Sequence, residues 1–533
     1  MSYNFFKTIC FFAILALACS CATIVSPTGG PVDNVPPKII SATPKDSTLN
    51  FSSQKIVLEF DEFVKLNNPS SQVMVNPFLK EKPVFSIKGK KVIITIKDTL
   101  KANTTYHVFW GDAIKDITEG NSSAIKEYVF STGNTLDSCS VSGLATDAFT
   151  GVPSEKAKVL LLNEIKDFKD TTPVYVTNVD KTGSFKFKNI APGKYYICAI
   201  EDNNSNYKFD LPDEKIAFLK DPIILSSEQQ QKDSVNLLIF KEVNKIQKRL
   251  KTELFHYNSA FTAYRNPLND PKIIFPDAES ETVYFLNEKK DTLRFFVKNR
   301  TSKTLKYFLD DGEFKDTVEQ TLNLRTGRRN FEKDTTFNLF SSAIKNKIPY
   351  NEVFTISSII PIEKFDYSKI IFEKNKDTIP VVFEKTDSDG FQWKLATEIT
   401  PEDSCKILFK KGAALNILGF GSDSTLFSFQ AMKQEELGSL KITFNKASES
   451  PIIIQLKGKE KTYLINVAKG SAEAELINIL PASYKASFIV DENEDGSWTT
   501  GEFDTLTQPE KIFIQSQAVL IKANWETKID WNL

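Results

Sequence analysis

Histidine is scarce in this 533-residue chain, which has only His107 and His256. His107 alternates with apolar residues in a strand-like segment, and His256 lies in an aromatic-rich stretch, so we expect both to be structural or exposed. The sequence contains no HExxH, P-loop, GxSxG or GxGxxG motif. The sequence therefore lacks the motifs that are typical of hydrolases, nucleotide-binding proteins and zinc enzymes. We expect a protein that is not an enzyme.

The chain also lacks an excess of charge of either sign. Lys and Arg number 67 and Asp and Glu number 68, which gives a formal net charge of −1. A balanced surface provides no general field for phosphate backbones, so nucleic acid is not an expected partner. No apolar run reaches the roughly 18 residues that a membrane-spanning helix needs.

The six cysteines fall into two groups, and the first lies at the N-terminus. The apolar run from Ile9 to Ala18 has the length of a signal h-region and ends in Ala18-Cys19-Ser20-Cys21. Small residues before a cysteine resemble a bacterial lipobox. That resemblance implies a signal peptide over residues 1–20 and an acylated, palmitate-bearing Cys21 that holds the chain on outer-membrane lipid. Cys19 is the rival acylation site, and an ordinary cleaved signal is the other alternative.

Residues 21–35 form a lipidated tether rich in Pro and Gly, which break regular structure. In surface-exported lipoproteins of the Bacteroidota, acidic residues follow the lipid-bearing cysteine. Residues 22–31 contain none. By that resemblance we expect a lipid-anchored protein at the periplasmic face of the outer membrane rather than at the cell surface.

Cys139, Cys198 and Cys405 form the second group. Cys139 and Cys198 fall in one predicted domain, so they are candidates for a disulfide in an oxidising compartment. Two buried thiols are the alternative, because sequence does not give the separation of the two residues. Cys405 has no evident partner.

Aromatic and β-branched residues are abundant, with 42 Phe, and they favour strands. Within residues 36–133 lie four characteristic pieces, namely Pro36-Pro37, Phe60-Asp61-Glu62, Trp110-Gly111-Asp112 and Phe130-Ser131-Thr132-Gly133. Together they resemble a bacterial Ig-like domain of the S-layer type. The resemblance implies a sandwich of two antiparallel sheets.

Residues 134–240 carry a different pattern. The segment Thr182-Gly183-Ser184 predicts a tight turn, Phe185 and Phe187 share one strand face, and Pro192-Gly193 predicts the next turn. The segment resembles a transthyretin-like or carboxypeptidase-regulatory β-sandwich, a module that is generally non-catalytic.

Residues 434–533 repeat that pattern, because residues 189–195 align without gaps with residues 478–484. We therefore predict a second transthyretin-like β-sandwich. Between the two copies, residues 241–336 predict a β module of uncertain fold, and residues 337–433 resemble a divergent Ig-like domain. The chain as a whole is predicted to be all-β, with tandem antiparallel β-sandwiches held as separate modules on the tether.

One loop of the second copy has the spacing of calcium ligands. Asp491, Asn493, Asp495 and Glu502 occupy positions 1, 3, 5 and 12 of an EF-hand loop pattern, with Gly496 at position 6. No amphipathic helices flank it, so the alternative is a turn in which Asx side chains cap their own backbone. Ca²⁺ is therefore a candidate ligand and no cofactor is required. In the sister loop at Asp202, Tyr207 replaces the glycine.

Taken whole, the chain resembles Bacteroidota outer-membrane lipoproteins with Ig-like domains, a family that implies no catalytic residues. We expect a non-enzymatic envelope protein with a scaffold or adhesion role. The alternative is a glycan-binding or transport-accessory lipoprotein whose exposed aromatic residues stack on sugars. The expected partner beyond lipid is an envelope protein or a glycan.

Overall fold

Alternation of buried and exposed residues produces the strands of this protein. In the segment Lys55–Phe60, for example, Ile56, Leu58 and Phe60 are buried while the residues between them reach solvent. The computed structural model describes residues 33–256, 258–276, 281–298, 304–321, 325–326, 329–330, 336–350 and 352–532. The predicted signal peptide, Cys19 and Cys21 lie outside the described residues. The strands form five sequential groups, which we call modules one to five.

Module one covers residues 33–133. Its sheets have the orders β1-β2-β6-β5 and β4-β7-β9, with a small β3-β8 pair, and they enclose Trp110 and Phe130. The Asp116 carboxylate accepts hydrogen bonds from the backbone N–H groups of residues 119–121 and so fixes the turn at Gly120. The elements are β1 Ile39–Thr43, β2 Lys55–Phe60, β3 Val64–Leu66, α1 Pro69–Gln72, β4 Met74–Asn76, β5 Val84–Lys88, β6 Lys91–Thr95, β7 Thr105–Phe109, β8 Ile114–Asp116 and β9 Glu127–Ser131.

Module two covers residues 139–240. A three-stranded sheet β13-β10-β17, in which β10 and β17 are parallel, packs on a sheet β12-β11-β14-β15 with β16 attached to β14. The elements are β10 Cys139–Asp147, β11 Lys158–Leu162, α2 Asp167–Asp170, β12 Tyr175–Asn178, β13 Ser184–Ile190, β14 Gly193–Glu201, β15 Lys215–Phe218, β16 Ile223–Leu225 and β17 Gln231–Ile239.

Module three, from residue 249 to 330, lies within the predicted β module of uncertain fold. Its described strands form sheets β18-β19-β22-β21 and β20-β23-β24, which pack around Phe295 and Tyr307 with ring centroids 4.7 Å apart. The strands are β18 Arg249–His256, β19 Ser259–Tyr264, β20 Lys272–Ile274, β21 Thr282–Leu286, β22 Thr292–Val297, β23 Thr304–Asp311, β24 Phe314–Thr321, β25 Arg325–Thr326 and β26 Arg329–Asn330.

Module four covers residues 336–431 and has sheets β27-β38-β37-β31, β28-β30-β35-β34 and β29-β39-β36-β32-β33. Short 3₁₀ turns occur at Tyr367–Lys369 and, after the module, at Gln434–Glu436. The strands are β27 Thr336–Phe337, β28 Phe340–Ser341, β29 Lys347–Ile348, β30 Thr355–Ser357, β31 Ile362–Phe365, β32 Ile370–Lys374, β33 Asp377–Ile379, β34 Phe383–Lys385, β35 Gln392–Leu395, β36 Ser404–Phe409, β37 Ala414–Asn416, β38 Gly421–Ser422 and β39 Thr425–Ala431.

Module five, from residue 438 to 532, has the strand order of module two in both sheets, β43-β40-β47 and β42-β41-β44-β45 with β46 on β44. Again the first and last strands, β40 and β47, are parallel. The strands are β40 Gly438–Phe444, β41 Ile452–Lys457, β42 Thr462–Val467, β43 Glu473–Ile479, β44 Ala482–Val490, β45 Ile512–Ile514, β46 Val519–Ile521 and β47 Glu526–Trp531.

A pair of tyrosines marks the same position in modules two and five. The Tyr175 hydroxyl accepts from Ala191 N at 3.1 Å, and the Tyr463 hydroxyl accepts from Leu480 N at 3.0 Å. The hydroxyls of Tyr195 and Tyr484 donate to the carbonyl oxygens of the same two residues. Residues 191 and 480 are also equivalent in the sequence alignment, so the repeat extends to side-chain hydrogen bonds.

The prediction of an all-β chain built from tandem β-sandwiches is confirmed. The α-helices that the structure describes are α1 and α2, each four residues long. Neither could cross a membrane, and none of the described residues belongs to a helix long and apolar enough to do so.

Candidate functional site

The loop that begins at Asp491 is held by its own polar side chains. Asp491 is buried, and its carboxylate accepts from Asp495 N at 3.1 Å and from Gly496 N at 2.9 Å. Asn493 Oδ1 also accepts from Asp495 N, at 3.0 Å. Gly496 has a φ of +76°, a left-handed conformation that favours glycine. The first three predicted ligands thus form a compact Asx-rich turn.

Glu502 does not join them. Its carboxylate pairs with Lys245 and accepts from Thr505 Oγ1 at 2.9 Å, and the hydrogen bond from Lys245 lowers the pKa of Glu502. Among the described residues, no group of three His, Cys, Asp or Glu side chains is arranged to hold a metal ion. The structure therefore does not place Glu502 with Asp491 and Asp495 as the twelfth-position ligand. Binding of Ca²⁺ stays a prediction, which calorimetric titration of the wild type and Asp491→Ala tests.

Sequence reasoning missed Glu510, which organises this loop. Glu510 is buried, and its carboxylate accepts from Glu492 N at 2.8 Å and from Thr499 N at 2.8 Å. Burial raises the pKa of its carboxyl. In module two, Glu214 is also buried and accepts from the N–H groups of Asn203 and Leu211. The sequence feature that could have identified both glutamates is their place in the repeat, one or two residues before the next strand.

The sister loop in module two is a turn of the same kind. Asp202 accepts from Asn206 N at 3.2 Å and from Tyr207 N at 2.9 Å, and Tyr207 adopts a φ of 61° where module five has Gly496. Asp213, at the position of Glu502, pairs with Lys241 at 3.0 Å. In neither loop does the acidic residue at position 12, Asp213 or Glu502, form a metal-binding group with the residue at position 1, because a lysine pairs with it instead.

The loop of module five is a docking element for module two. Phe503 is 5% exposed, and its ring lies near three phenylalanine rings of module two, with centroid distances of 5.8 Å to Phe168, 6.1 Å to Phe209 and 5.4 Å to Phe218. Burial of a phenyl ring contributes on the order of 2 kcal/mol from area alone. Phe503 thus lies at the apolar centre of a contact between two modules distant in sequence, and Trp498 extends this contact by packing on Phe149 with ring centroids 5.0 Å apart.

Polar groups surround that centre. Thr500 Oγ1 donates to Lys241 O at 2.9 Å, and Gln508 Nε2 donates to Phe218 O at 3.0 Å. Phe503 N donates to Glu242, and Lys169 pairs with Asp504. The contact therefore has the apolar core and polar rim of a specific interface. The loop of module five is longer than its counterpart in module two, because 19 positions separate Asp491 from Glu510 and only 12 separate Asp202 from Glu214. This extra length is the feature of the sequence that indicates an additional contact.

Modules one and two meet at the edge strand β12. The Asn76 carboxamide binds both backbone groups of Val176, with Nδ2 donating to its C=O at 2.8 Å and Oδ1 accepting from its N–H at 2.7 Å. Phe78 N donates to Val174 O at 2.7 Å, and the Phe78 ring contacts Tyr207. Module one thus adds a strand-like segment to the open edge of module two.

The remaining neighbours also touch. Phe391 of module four packs against Phe285 of module three at 5.2 Å, and the Lys345 ammonium group of module four lies 3.2 Å from the carboxylate of Glu460 in module five. With the return of module five to module two, the chain forms a closed arrangement. The expectation of separate modules along a tether is therefore wrong, because module one contacts module two, module three contacts module four, module four contacts module five, and module five contacts module two.

Both histidines take part in these structural contacts. His107 Nε2 lies 2.9 Å from the Glu127 carboxylate, and this hydrogen bond lowers the pKa of Glu127 to about 2. Lys188 of module two pairs with the same carboxylate at 2.9 Å. His256 Nε2 lies 3.1 Å from Thr336 O, at the junction of modules three and four.

The three cysteines among the described residues are free and buried. Cys139 belongs to the hydrophobic cluster between the two sheets of module two, and Cys198 belongs to a different cluster on the outer face of that module. The structure therefore does not support a Cys139–Cys198 disulfide and contains the alternative, two buried thiols. Cys405 lies in the core of module four.

Comparisons with known proteins identify one part of the chain. Residues 33–132 match the family model of the bacterial Ig-like domain, which confirms the expectation for this segment. No curated protein matches the chain.

Several solved structures with which the chain aligns have low sequence identity to it. They include the S-layer protein SbsC (12% identity, TM-score 0.14, 85% of this chain and 65% of that chain). The Bacillus cereus major pilin subunit BcpA aligns at 10% identity and a TM-score of 0.14, over 74% of this chain and 98% of that chain. The Bacteroides ovatus protein SGBP-B, solved with a mixed-linkage heptasaccharide, aligns at 10% identity and a TM-score of 0.19, over 73% of this chain and 96% of that chain. The chain spans just under two thirds of SbsC, and at these TM-scores no argument rests on the likenesses.

Proposed function

We propose that this chain is a non-enzymatic envelope protein, anchored in outer-membrane lipid through acylated Cys21, that acts as a scaffold or interaction platform. The observation that carries the proposal is the docking of Phe503 of module five into module two, which closes several β-sandwiches into one arrangement. Because the modules support one another, their outer surfaces keep fixed relative positions, as a platform for other molecules requires. The bacterial Ig-like match over residues 33–132 adds support.

Anchoring is tested in the native host with alkyne-palmitate labelling and membrane fractionation. We expect label in the outer-membrane fraction for the wild type and Cys19→Ala, and loss of label and of membrane association for Cys21→Ala. A labelled Cys21→Ala protein would overturn the assignment of Cys21. We place the modules on the periplasmic face, so protease added to intact cells should leave the chain whole, whereas cleavage would place it at the surface.

The interaction role is tested by cross-linking in intact membranes. We expect wild-type protein to give reproducible cross-links to an envelope protein, and Phe503→Ala, which releases the fifth module, to change their pattern. If the wild-type protein forms no reproducible cross-link, the interaction role is refuted even where the anchor is intact.

Trp525 favours glycan binding as a second candidate function. Its side chain is 65% exposed beside a groove of about 370 Å³ that Gln434, Asn478 and Asn524 also line. An exposed indole with amide groups around it suits the apolar face and hydroxyls of a sugar. Glycan-array binding that Trp525→Ala abolishes and Phe340→Ala retains would favour this function, and an array without signal would exclude it.

A further inference from the structure

Module two shows how the edge strand of this fold is used as a docking site. Both outward-facing backbone groups of Val176 bind the Asn76 carboxamide, and Val174 O accepts from Phe78 N. The Val176 side chain is 1% exposed and lies in one hydrophobic cluster with Met74 of module one and Phe168 of module two. Segment 76–78 runs antiparallel to strand β12, since residue 76 meets 176 and residue 78 meets 174.

Strand β42 is the equivalent edge of module five, and the two registers identify the matching residues. Val176 pairs with Leu160 on β11, and Leu464 pairs with Gln455 on β41. The neighbouring residues Tyr175 and Tyr463 make the same hydroxyl hydrogen bond to equivalent backbone positions. Leu464 therefore occupies the position of Val176, and its N–H and C=O face the open side of the sheet.

The edge that module one covers in module two is open in module five. The Leu464 side chain is 65% exposed. Within the described ranges, no hydrogen bond reaches the backbone of Thr462 or Leu464 from outside their own sheet. The strand is six residues long, against four for β12. An open edge with an exposed leucine accepts an added strand readily.

The charged side chains around this edge indicate what kind of incoming strand it binds. Lys457, Lys459 and Lys485 are exposed, and in the described part of the chain none of them forms an ion pair, whereas Glu460 is already paired with Lys345. Two copies of this edge would bring like charges together, which opposes self-pairing through β42. Acidic residues on an incoming segment would instead be attracted.

We propose that strand β42 is a docking edge for another envelope protein, which contributes an extended segment flanked by acidic residues. The segment adds antiparallel to β42, and a carboxamide or peptide group binds the N–H and C=O of Leu464 as Asn76 binds Val176. This inference rests on the proposed interaction role and names the chemistry of the partner.

The test uses a peptide with the sequence of residues 73–78 flanked by two glutamates on each side, added to the unlipidated chain of residues 22–533. Hydrogen exchange should show protection at Thr462–Val467, and fluorescence anisotropy of labelled peptide gives the affinity. Leu464→Pro removes only an outward N–H, which an edge strand tolerates. We expect binding at least about tenfold weaker for this variant and for a peptide with Ala in place of Asn.

Two further variants separate docking from misfolding. Leu464→Glu keeps every backbone donor, adds a side chain that repels the glutamates of the peptide, and should also weaken binding. Ile477→Glu introduces the same charge at a residue of similar exposure, 62%, on the other sheet and should bind as the wild type does. Absence of protection at Thr462–Val467 at about 1 mM peptide, or equal binding by Leu464→Pro, would overturn the proposal. A dimer that Leu464→Pro abolishes would assign the edge to a second copy instead, and none of these results bears on the anchor at Cys21.

Discussion

The ring of Phe503 stands at 82° to the ring of Phe218, with centroids 5.4 Å apart, and this edge-to-face pair joins two modules that share one fold. The contact is asymmetric, because module five contributes the loop and module two contributes the aromatic pocket. Two modules with the same strand order thus have different roles in the contact, because one inserts a loop and the other receives it.

Replacing Phe503 with alanine should release the fifth module from the second. The substitution removes a buried ring from an aromatic cluster, a loss of about 3 kcal/mol in comparable sites. We expect a larger radius of gyration in small-angle scattering and faster amide exchange near Phe218. Leu520→Ala, at a 55% exposed position of the same module, is the control and should change neither. An unchanged scattering profile for Phe503→Ala would contradict the docked arrangement.

Asp403 should make the stability of module four depend on acid pH. Burial alone would raise its pKa, but the ion pair with Lys374 at 2.8 Å and the hydrogen bonds from Thr400 N and Asn375 Nδ2 lower it to about 2. Since the unfolded pKa is about 3.9, the carboxylate stabilises the folded module by about 2 kcal/mol above that pH. The stabilisation is lost as the pH falls from about 4 to 2.

We therefore expect Asp403→Asn to speed amide exchange of strand β36 at pH 7 and to flatten its pH dependence between about 4 and 2. Asp377→Asn, at an exposed site on the neighbouring strand β33, is the matched control. If wild type and Asp403→Asn show the same acid dependence, the ion pair does not have this role.

The thiols should be free but unreactive in the folded chain. Burial raises the pKa of Cys198 well above its usual range and that of Cys405 to about 11, so little thiolate is present at pH 8. For the chain of residues 22–533 we expect no iodoacetamide adduct in native buffer and three adducts in urea without reductant, read by intact mass. A cross-linked peptide pair containing Cys139 and Cys198 would show instead that the disulfide forms.

Because modules two and five contain the same tyrosine pair, we expect equivalent tyrosine substitutions to change local stability equally in the two modules. Tyr175→Phe and Tyr463→Phe each leave one backbone N–H, of Ala191 or Leu480, without its acceptor, which costs about 1 kcal/mol. Local amide exchange of β14 and β44 should rise by similar factors. Tyr367→Phe, whose side chain lies in module four, should leave both strands unaffected.

Local patterns in the sequence predicted the strands and the repeat. Alternation in Lys55–Phe60 and the shared register at Asn189 and Asn478 depend only on neighbouring residues, and the structure contains the corresponding strands and the same strand order in both copies. Both asparagines even adopt a left-handed φ, 55° and 58°.

The candidate site was less predictable because it depends on contacts between distant segments. Glu502 fits a ligand spacing, but Lys245 of another segment binds its carboxylate. Phe503 lies in a polar loop without periodicity, so nothing local indicates that the ring is buried. Glu510 lies beyond the twelve-residue loop pattern, and only the folded loop shows that it accepts backbone hydrogen bonds.

The closed arrangement also decides how mechanical load travels. A pull between the N-terminal segment and strand β47 passes from module five directly to module two through the Phe503 contact. Modules three and four lie on the parallel covalent path between modules two and five, so they carry the whole tension only after that contact breaks. Under tension the protein should lengthen in a step, first when the contact around Phe503 separates and only later when its sheets open.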